Sequence, residues 1–452
     1  MIELLRRASA RHPDRSAIVT DDQDVSYSDL VAMAESAAAS LRTHGIRRLA
    51  LIEPSAPEVV AILAGSALAG VEACQYPPVE PASSIALLKG RFDHTTLISY
   101  RTDLGSTGEV IAPDVLLGAA GWTQAAPTAQ PLLILTTGTT GAPRGVRHDW
   151  TRLLRPLSAA KPVDDERWLL AYGLHQFAGL QLVAHVLAVG ATLVAPTPRR
   201  PREGLAAIRR YGVTHVSSTP TYLRFALAEM ASDNGPVPAL KQITLGGEAV
   251  PRPLLAQVRA VFPDARISQI YAATEFGSTG SVRDGGSGMP ASVLRRADDA
   301  DVQMEIRDGE LWVRSRVGML GYYGDEPVEP DAWRPSGDLA EVVDDRVVFR
   351  GRASDVINVG GVKVHPLPIE EIVAGVPGVD VARVFGRPNA MTGSIVAVEI
   401  VAHAGFDVDH IAQSVRSGCS ELPAAARPRS IRFVEELPLT GGKLVRGQTR
   451  DG

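Results

Sequence analysis

Between Arg202 and Glu275 the chain repeats one pattern three times. REGLAAIRRYG reads as a helix and VTHVSST as a strand; PTYLRFALAEMAS and LKQITLGG follow in the same order, and PRPLLAQVRAVFP and ARISQIYAATE close the run. Similar alternation is visible from about Arg48 onward. It predicts parallel strands joined by crossover helices. In open sheets of this kind ligands bind beyond the carboxyl ends of the strands. Those ends here are Gly246-Gly247-Glu248 and Ala273-Thr274-Glu275, both polar where a purely structural loop is free to carry anything.

After Gly285 the texture changes to short alternating strands, VQMEIRD, GELWVRS and DRVVFRG among them, which predict a small β-barrel or antiparallel sheet. From about Ala353 a last block mixes strands with two helical patterns, PLPIEEIVAGV and DVDHIAQSVRSGCSEL, and reads as an α+β domain. The apolar runs Val59–Cys74 and Gly179–Val194 are rich in Gly and Ala and interrupted by polar residues, so they read as buried helices rather than membrane spans. PTPRRPRE (196–203) reads as a surface loop.

A formal net charge of -5 over 452 residues and no basic stripe argue against a nucleic-acid partner, because neutralising phosphates needs a basic face. Cys74 and Cys419 stand far apart in no metal-ligand spacing, which supports neither a disulfide framework nor a zinc site. The opening MIELLRRASARHPDRS carries no apolar segment long enough for a signal peptide, and the expected location is the cytoplasm.

LTTGTTGAPRGV (135–146) crowds Thr and Gly behind the apolar run PLLIL. Glycines let backbone amides approach a phosphate and hydroxyls add donors. It is not a Walker A loop, because Gly-Lys-Ser/Thr is missing, and GGKLVR at Gly441 fits no better. The stretch resembles the phosphate loop of the adenylate-forming superfamily, the acyl- and aryl-CoA ligases, luciferases and adenylation domains of peptide synthetases. Arg144 stands where that family usually has Lys. YAATE (271–275) is similar to its Tyr-Gly-x-Thr-Glu with Ala272 for Gly, LGGEAV (245–250) to the segment along the adenine and acyl pocket, SGDLAEV to its Thr-Gly-Asp, GRASDVINVGGVKVHP to its hinge and following loop, and LPLTGGKLVR to the loop of its catalytic lysine. The signatures fall in the family's order, and the likeness runs essentially from end to end, with about 81–130 shortened.

The resemblance implies a large N-terminal α/β domain of doubly wound sheets with a small β-barrel subdomain (1–351), and a small mobile α+β C-terminal domain (352–452). It implies that Thr136, Thr137, Gly138, Thr139, Thr140, Gly141 and Arg144 cradle the β- and γ-phosphates of ATP. Gly247, Glu248, Tyr271 and Ala272 would flank adenine, with Tyr271 stacked on it. Thr274 would bond the α-phosphate and Glu275 hold Mg²⁺, a hard cation suited to a carboxylate and phosphate oxygens. Asp338 would take both ribose hydroxyls, as a carboxylate can, and Arg352 would contact the ribose. Lys443 would stabilise the charge that builds during adenylation, on a loop one residue shorter than usual. Gly360 and Gly361 would line a tunnel for a pantetheine arm, and Ser354 occupies a hinge position usually filled by Asp or Lys.

For the acid, the segment AYGLHQFAGLQL places Gln176 three residues before Gly179, with His175 beside it as a gate, a pocket residue or a structural His. No Asp occurs between Trp168 and Gly190, which disfavours an amino acid, since a buried ammonium needs a counter-charge. Phe177, Leu180, Thr219, Gly246 and Phe276 suit an aryl or medium acyl group. The implied reaction is ATP-dependent activation of a carboxylate followed by transfer to coenzyme A, or to the phosphopantetheine of an acyl-carrier protein. A non-catalytic binding protein of the same fold is the remaining alternative.

Overall fold

The computed structural model describes residues 1–78, 80–118, 122, 124–136, 143–233, 235–440 and 443–446. They form two compact units. The first holds Met1–Ser217, Ala272–Thr279 and Ser315–Ala332, and the second Ser218–Tyr271, Gly280–Arg314 and Trp333–Gly452.

The first unit contains a seven-stranded sheet in the order Gly321–Tyr322, Arg144–Asp149, Pro131–Thr136, Glu72–Gln75, Arg48–Leu51, Thr96–Ile98, Glu109–Ile111. Its last five strands run parallel, while Arg144–Asp149 pairs antiparallel with both its neighbours. A second parallel run joins Ser16–Val19, Thr192–Val194, Arg167–Leu170 and His215–Ser218. The main core lies among the helices Ile2–Arg11, Tyr27–Thr43, Ala56–Ala69 and Phe177–Val189. Gly65 lets two of them touch: a Cβ there would sit 2.6 Å from the Ala34 carbonyl oxygen.

The two apolar runs read as helices are only partly helical. Each helix stops at a glycine in the left-handed conformation, Gly70 (φ 72°) and Gly190 (φ 73°), and the rest of the run continues as the strand Glu72–Gln75 or Thr192–Val194. Only glycine takes that backbone without strain, so it ends a helix inside an unbroken apolar stretch. The segment read as a surface loop also divides. Pro201 opens the helix Pro201–Tyr211, its fixed φ matching the first helical position, and only 196–200 is loop.

In the second unit Gln242–Gly246 and Arg266–Ala273 are parallel neighbours; the helix Pro220–Ser232 precedes them in sequence and the helix Arg252–Val261 connects them. The short strands after Gly285 form a five-stranded antiparallel sheet in the order Met289–Pro290, Arg346–Arg352, Arg334–Val343, Glu310–Ser315, Val302–Arg307. The last block is a sheet of Val362–Val364, Ile357–Val359, Gly393–Ala402, Val379–Asn389 and Ser430–Phe433. It shares a core with the helices Pro366–Ala374 and Val408–Gly418. Among the described residues no helix is long and apolar enough to cross a membrane. Both cysteines are buried and free.

The strand that leaves the 135–146 loop rests on an aromatic cluster. A Cβ on Gly145 would lie 2.7 Å from Phe92, whose ring meets Tyr323 edge-on. Behind it Tyr76 and His94 share a 2.7 Å hydrogen bond in a fully buried setting. Burial, with Arg48 adding to it, holds the His94 imidazole down at about 3. The unfolded chain therefore takes up a proton near pH 6.5 that the folded chain refuses, so stability falls as pH drops from 6.5 toward 3. The expected slope from this group is about 1.4 kcal/mol per pH unit. Urea midpoints of wild type and His94→Gln between pH 7 and 4 should show a shallower acid loss in the variant.

Candidate functional site

In the second unit the site is built around one carboxylate. Asp338 and Arg352 face each other across the pair Arg334–Val343 and Arg346–Arg352, and Arg352 Nε meets Asp338 Oδ1 at 2.8 Å. The Tyr271 hydroxyl, from the end of the neighbouring parallel pair, donates to Asp338 Oδ2 at 2.6 Å. Phe349 stacks on the Tyr271 ring, with centroids 5.0 Å apart. Burial pushes the Asp338 carboxyl up, while Arg352, Tyr271 and Lys443 pull it down, and burial wins. Burial likewise drives the Tyr271 phenol well above its ordinary value, so it stays protonated as the donor. Each carboxylate oxygen keeps a second lone pair, which leaves Asp338 able to accept from a vicinal diol as well.

Lys443 reaches the same neighbourhood. A Cβ on Gly247 (φ +84°) would lie 3.0 Å from Lys443 Cε and 3.8 Å from the Thr219 methyl, so the glycine leaves room for the lysine stem. The strand Gln242–Gly246 ends just before it. Glu248 then binds both flanks: its Oε1 accepts from Leu444 N (3.1 Å) and its Oε2 from Thr221 N (3.2 Å). Thr219 caps the helix Pro220–Ser232 by accepting from Tyr222 N.

Three further residues hold the lysine segment. Arg446 pairs with Glu370 at 2.8 and 2.9 Å, and Arg383 Nη1 donates to the Val445 carbonyl at 2.8 Å. Burial pushes the Arg446 guanidinium down, but Glu370, with Glu248 and Asp355, more than reverses it. Arg224 faces the same carboxylates, and there burial prevails and lowers it. Sequence reading missed Arg446, Glu370, Arg224 and Phe349. The one available signal was Arg446, three residues after Lys443 on an otherwise apolar KLVR.

Gly360 (φ 59°) and Gly361 (φ 87°) form the tip of the hairpin Ile357–Val364, where Asn358 Oδ1 accepts from Gly361 N. Ser354 lies exposed on a single 3-10 turn and donates to Asp355.

In the first unit Thr136 and Arg144 face each other across an antiparallel pair, flanking the loop. Thr137, Gly138, Thr139, Thr140 and Gly141 lie outside the described residues. The Arg144 guanidinium lies 3.3 Å from the Tyr322 ring centroid and 3.1 Å from Asp325. The Tyr322 hydroxyl donates to Glu275 Oε1 at 3.2 Å. His148 Nε2 lies 2.8 Å from the Thr274 carbonyl and its ring stacks on Phe177. Phe276 is buried, its carbonyl accepting from Ser315. Gln176 Oε1 accepts from Gly173 N, and the His175 ring packs against Gly173. Ala272 is also in this unit. Among the acid-pocket candidates Phe177, Leu180 and Phe276 belong to the first unit, Thr219 and Gly246 to the second. Among the described residues no three His, Cys, Asp or Glu side chains gather into a metal cage. A magnesium ion held by one carboxylate and phosphate oxygens asks for none.

Residues 5–323 match the family model described as AMP-binding enzyme, and 368–443 that of the AMP-binding enzyme C-terminal domain. The chain belongs to the AMP-binding enzyme family. This AMP-binding enzyme is 26% identical to a 3-[(3aS,4S,7aS)-7a-methyl-1,5-dioxo-octahydro-1H-inden-4-yl]propanoyl:CoA ligase of Mycobacterium tuberculosis, over 99% of its own length and 97% of the relative's. It is 25% identical to the fatty acid–[acyl-carrier-protein] ligase MmaC of Mycobacterium marinum, over 99% and 96%. A crystal structure of the anthranilate CoA ligase AuaEII with anthranoyl-AMP superposes with a TM-score of 0.85 at 21% identity, covering 98% of this chain and 95% of that one. That likeness establishes the adenylate-forming fold.

In this AMP-binding enzyme the Arg446–Glu370 pair is buried enough for one partner alone to be costly. Arg446→Met is expected to lower stability by about 3 kcal/mol by stranding Glu370. The double variant Arg446→Met with Glu370→Leu should recover most of it, as read from urea midpoints.

Proposed function

We propose that the protein activates a non-amino carboxylic acid with ATP, releasing pyrophosphate, and passes the acyl group from the acyl-adenylate to a thiol, giving a thioester and AMP. The observation that carries this reading is the cluster in the second unit. Lys443, Tyr271, Asp338 and Arg352 come from separate stretches of sequence and stand together with Gly247. That is two cations, one diol acceptor and one aromatic face.

A carboxylate attacks the α-phosphate without needing a base, since it is already ionised. The barrier lies in crowding negative charge at phosphorus. Lys443 supplies fixed positive charge there, with Thr274 as a further donor, in a setting that needs no reorganisation. Asp338 and Arg352 orient the ribose and Tyr271 the adenine, so that the α-phosphate meets the acid in line. The residues 136–141 with Arg144 hold the β- and γ-phosphates. Magnesium, when bound, offsets the charge of the leaving pyrophosphate, and Glu275 is the residue proposed to hold it. In the second half-reaction 352–452 turns about Ser354 as one body. Lys443 then withdraws and Gly360 and Gly361 come to the thiol's path, so one site serves two chemistries.

The acid is aryl or medium acyl, lying against His175, Gln176, Phe177, Thr219, Gly246 and Phe276. Coenzyme A is the acceptor, a reading supported by the CoA ligases among the relatives, in a cytoplasmic setting. An acyl-carrier protein is the second reading, favoured by the likeness to the acyl-carrier-protein ligase.

Carboxylate-dependent return of labelled pyrophosphate into ATP, over a broad acid panel, tests the first half-reaction; no exchange with any acid refutes it. Lys443→Ala should lower exchange by about 100- to 1000-fold. Thioester formation from a supplied acyl-adenylate should survive, and equal loss of both would contradict the role given to Lys443.

A further inference from the structure

Thr192–Val194 and Arg167–Leu170 are adjacent parallel strands, with Val194 opposite Leu169. The segments that leave their carboxyl ends therefore start from the same edge, the edge where open α/β sheets bind ligands. Five residues beyond Leu170 stands His175, and five beyond Val194 stands Arg199. Arg199 lies close enough to act on His175 electrostatically.

Arg199 is unusual for a guanidinium. Its Nε is sealed from solvent with no hydrogen-bond partner, and the side chain makes no ion pair or hydrogen bond with any described residue. Burial alone acts on its charge, and lowers it. A half-buried cation left without a counter-charge costs stability unless something arrives to pair with it. His175 adds a polar group without adding charge: burial first and Arg199 second hold its imidazole down at about 4, so it is neutral at pH 7. Its ring is placed by Gly173, where any Cβ would strike it, and the turn is closed by Gln176 N donating to the Gly173 carbonyl and Gln176 Oε1 accepting from Gly173 N. The arrangement offers one fixed positive charge in a planar fork and one neutral imidazole. That matches a single carboxylate, which a guanidinium binds in two parallel hydrogen bonds.

We infer that Arg199 and His175 receive a second carboxylate on the acid that this enzyme activates, making its substrates dicarboxylic acids. The inference rests on the proposed carboxylate activation and narrows its substrate class. The first carboxylate reacts with ATP, and the second stays ionised against Arg199 as an anchor. The same segment lacks the Asp that an amino acid would require, so a cation here and no anion agree in sign.

The test is pyrophosphate exchange on the full chain with matched aromatic and aliphatic pairs, each a di-acid and its half-amide. The pairs include isophthalate, terephthalate, glutarate and adipate. Wild type should show a KM for the best di-acid about 100-fold below that of its half-amide. Arg199→Gln should raise the di-acid KM about 100-fold, with kcat and the half-amide KM little changed. Exchange with the half-amide shows that the variant is folded. If it is not, the wild-type comparison alone decides. Equal KM values for di-acid and half-amide in wild type, or equal loss on both in Arg199→Gln, would overturn the inference. A rise only in the KM for coenzyme A during thioester formation would place the anion on the thiol substrate, and also overturn it. Exchange with no acid at all would strike the proposed activation instead.

Discussion

The second unit depends on one buried carboxylate being shared. Asp338 carries more burial than its partners fully offset, and it is held by a phenol on one oxygen and a guanidinium on the other. Each of those partners is fixed in turn, Tyr271 by the ring of Phe349 and Arg352 by its register opposite Asp338 on the antiparallel sheet. A carboxylate in this position is rigid before any ligand arrives. Rigidity of that kind removes the cost of ordering from binding and leaves the spare lone pairs aimed.

A second set of charges does for Lys443 what the first does for Asp338. Glu248 grips the backbone on one side, Arg446 is gripped by Glu370 on the other, and Arg383 holds the carbonyl between them. A lysine on a surface loop ordinarily samples many rotamers and loses entropy when it is used. Pinning the backbone at the two residues after it, with an open path over Gly247, shortens that search. Of these three contacts only the Glu248 hydrogen bond reaches outside 352–452, so the proposed turn gives up that one polar contact while the other two travel with Lys443.

Much of the architecture was legible because it is periodic. The helix–strand alternation from Arg202 to Glu275, the antiparallel strands after Gly285 and the two helices of the last block all stand where their patterns put them. The apolar runs at 59–74 and 179–194 were misread in part. Composition reports burial, whereas the left-handed glycine that splits each run into helix and strand is a single residue of local geometry. The candidate site residues stood out as an ordered set of motifs, not as geometry. Asp338 and Arg352 are joined by a hairpin register, which patterns can suggest. Arg446 and Glu370, 76 residues apart in sequence, have no local signature linking them. Arg199 was hidden by its company, since an arginine among Pro and Arg in PTPRRPRE reads as solvated surface until its burial is seen.

The chain from Arg144 through Tyr322 to Glu275 links two groups to which the proposed reaction gives separate tasks. Tyr322 lends its ring face to a cation and its hydroxyl to a carboxylate, so whatever draws Glu275 toward an ion weakens the hold on the phenol. That change is passed to the arginine lying on the ring. With the roles proposed for them, linkage would make this reciprocal: a phosphate that attracts Arg144 would alter the metal affinity of Glu275 by the same factor that the metal alters phosphate affinity. Replacing Arg144 by the lysine more usual in the family would weaken that stacking contact, because an ammonium does not lie flat on a ring. The arginine thus carries more than charge; under the roles proposed for Arg144 and Glu275 it would make nucleotide and metal occupancy a joint event.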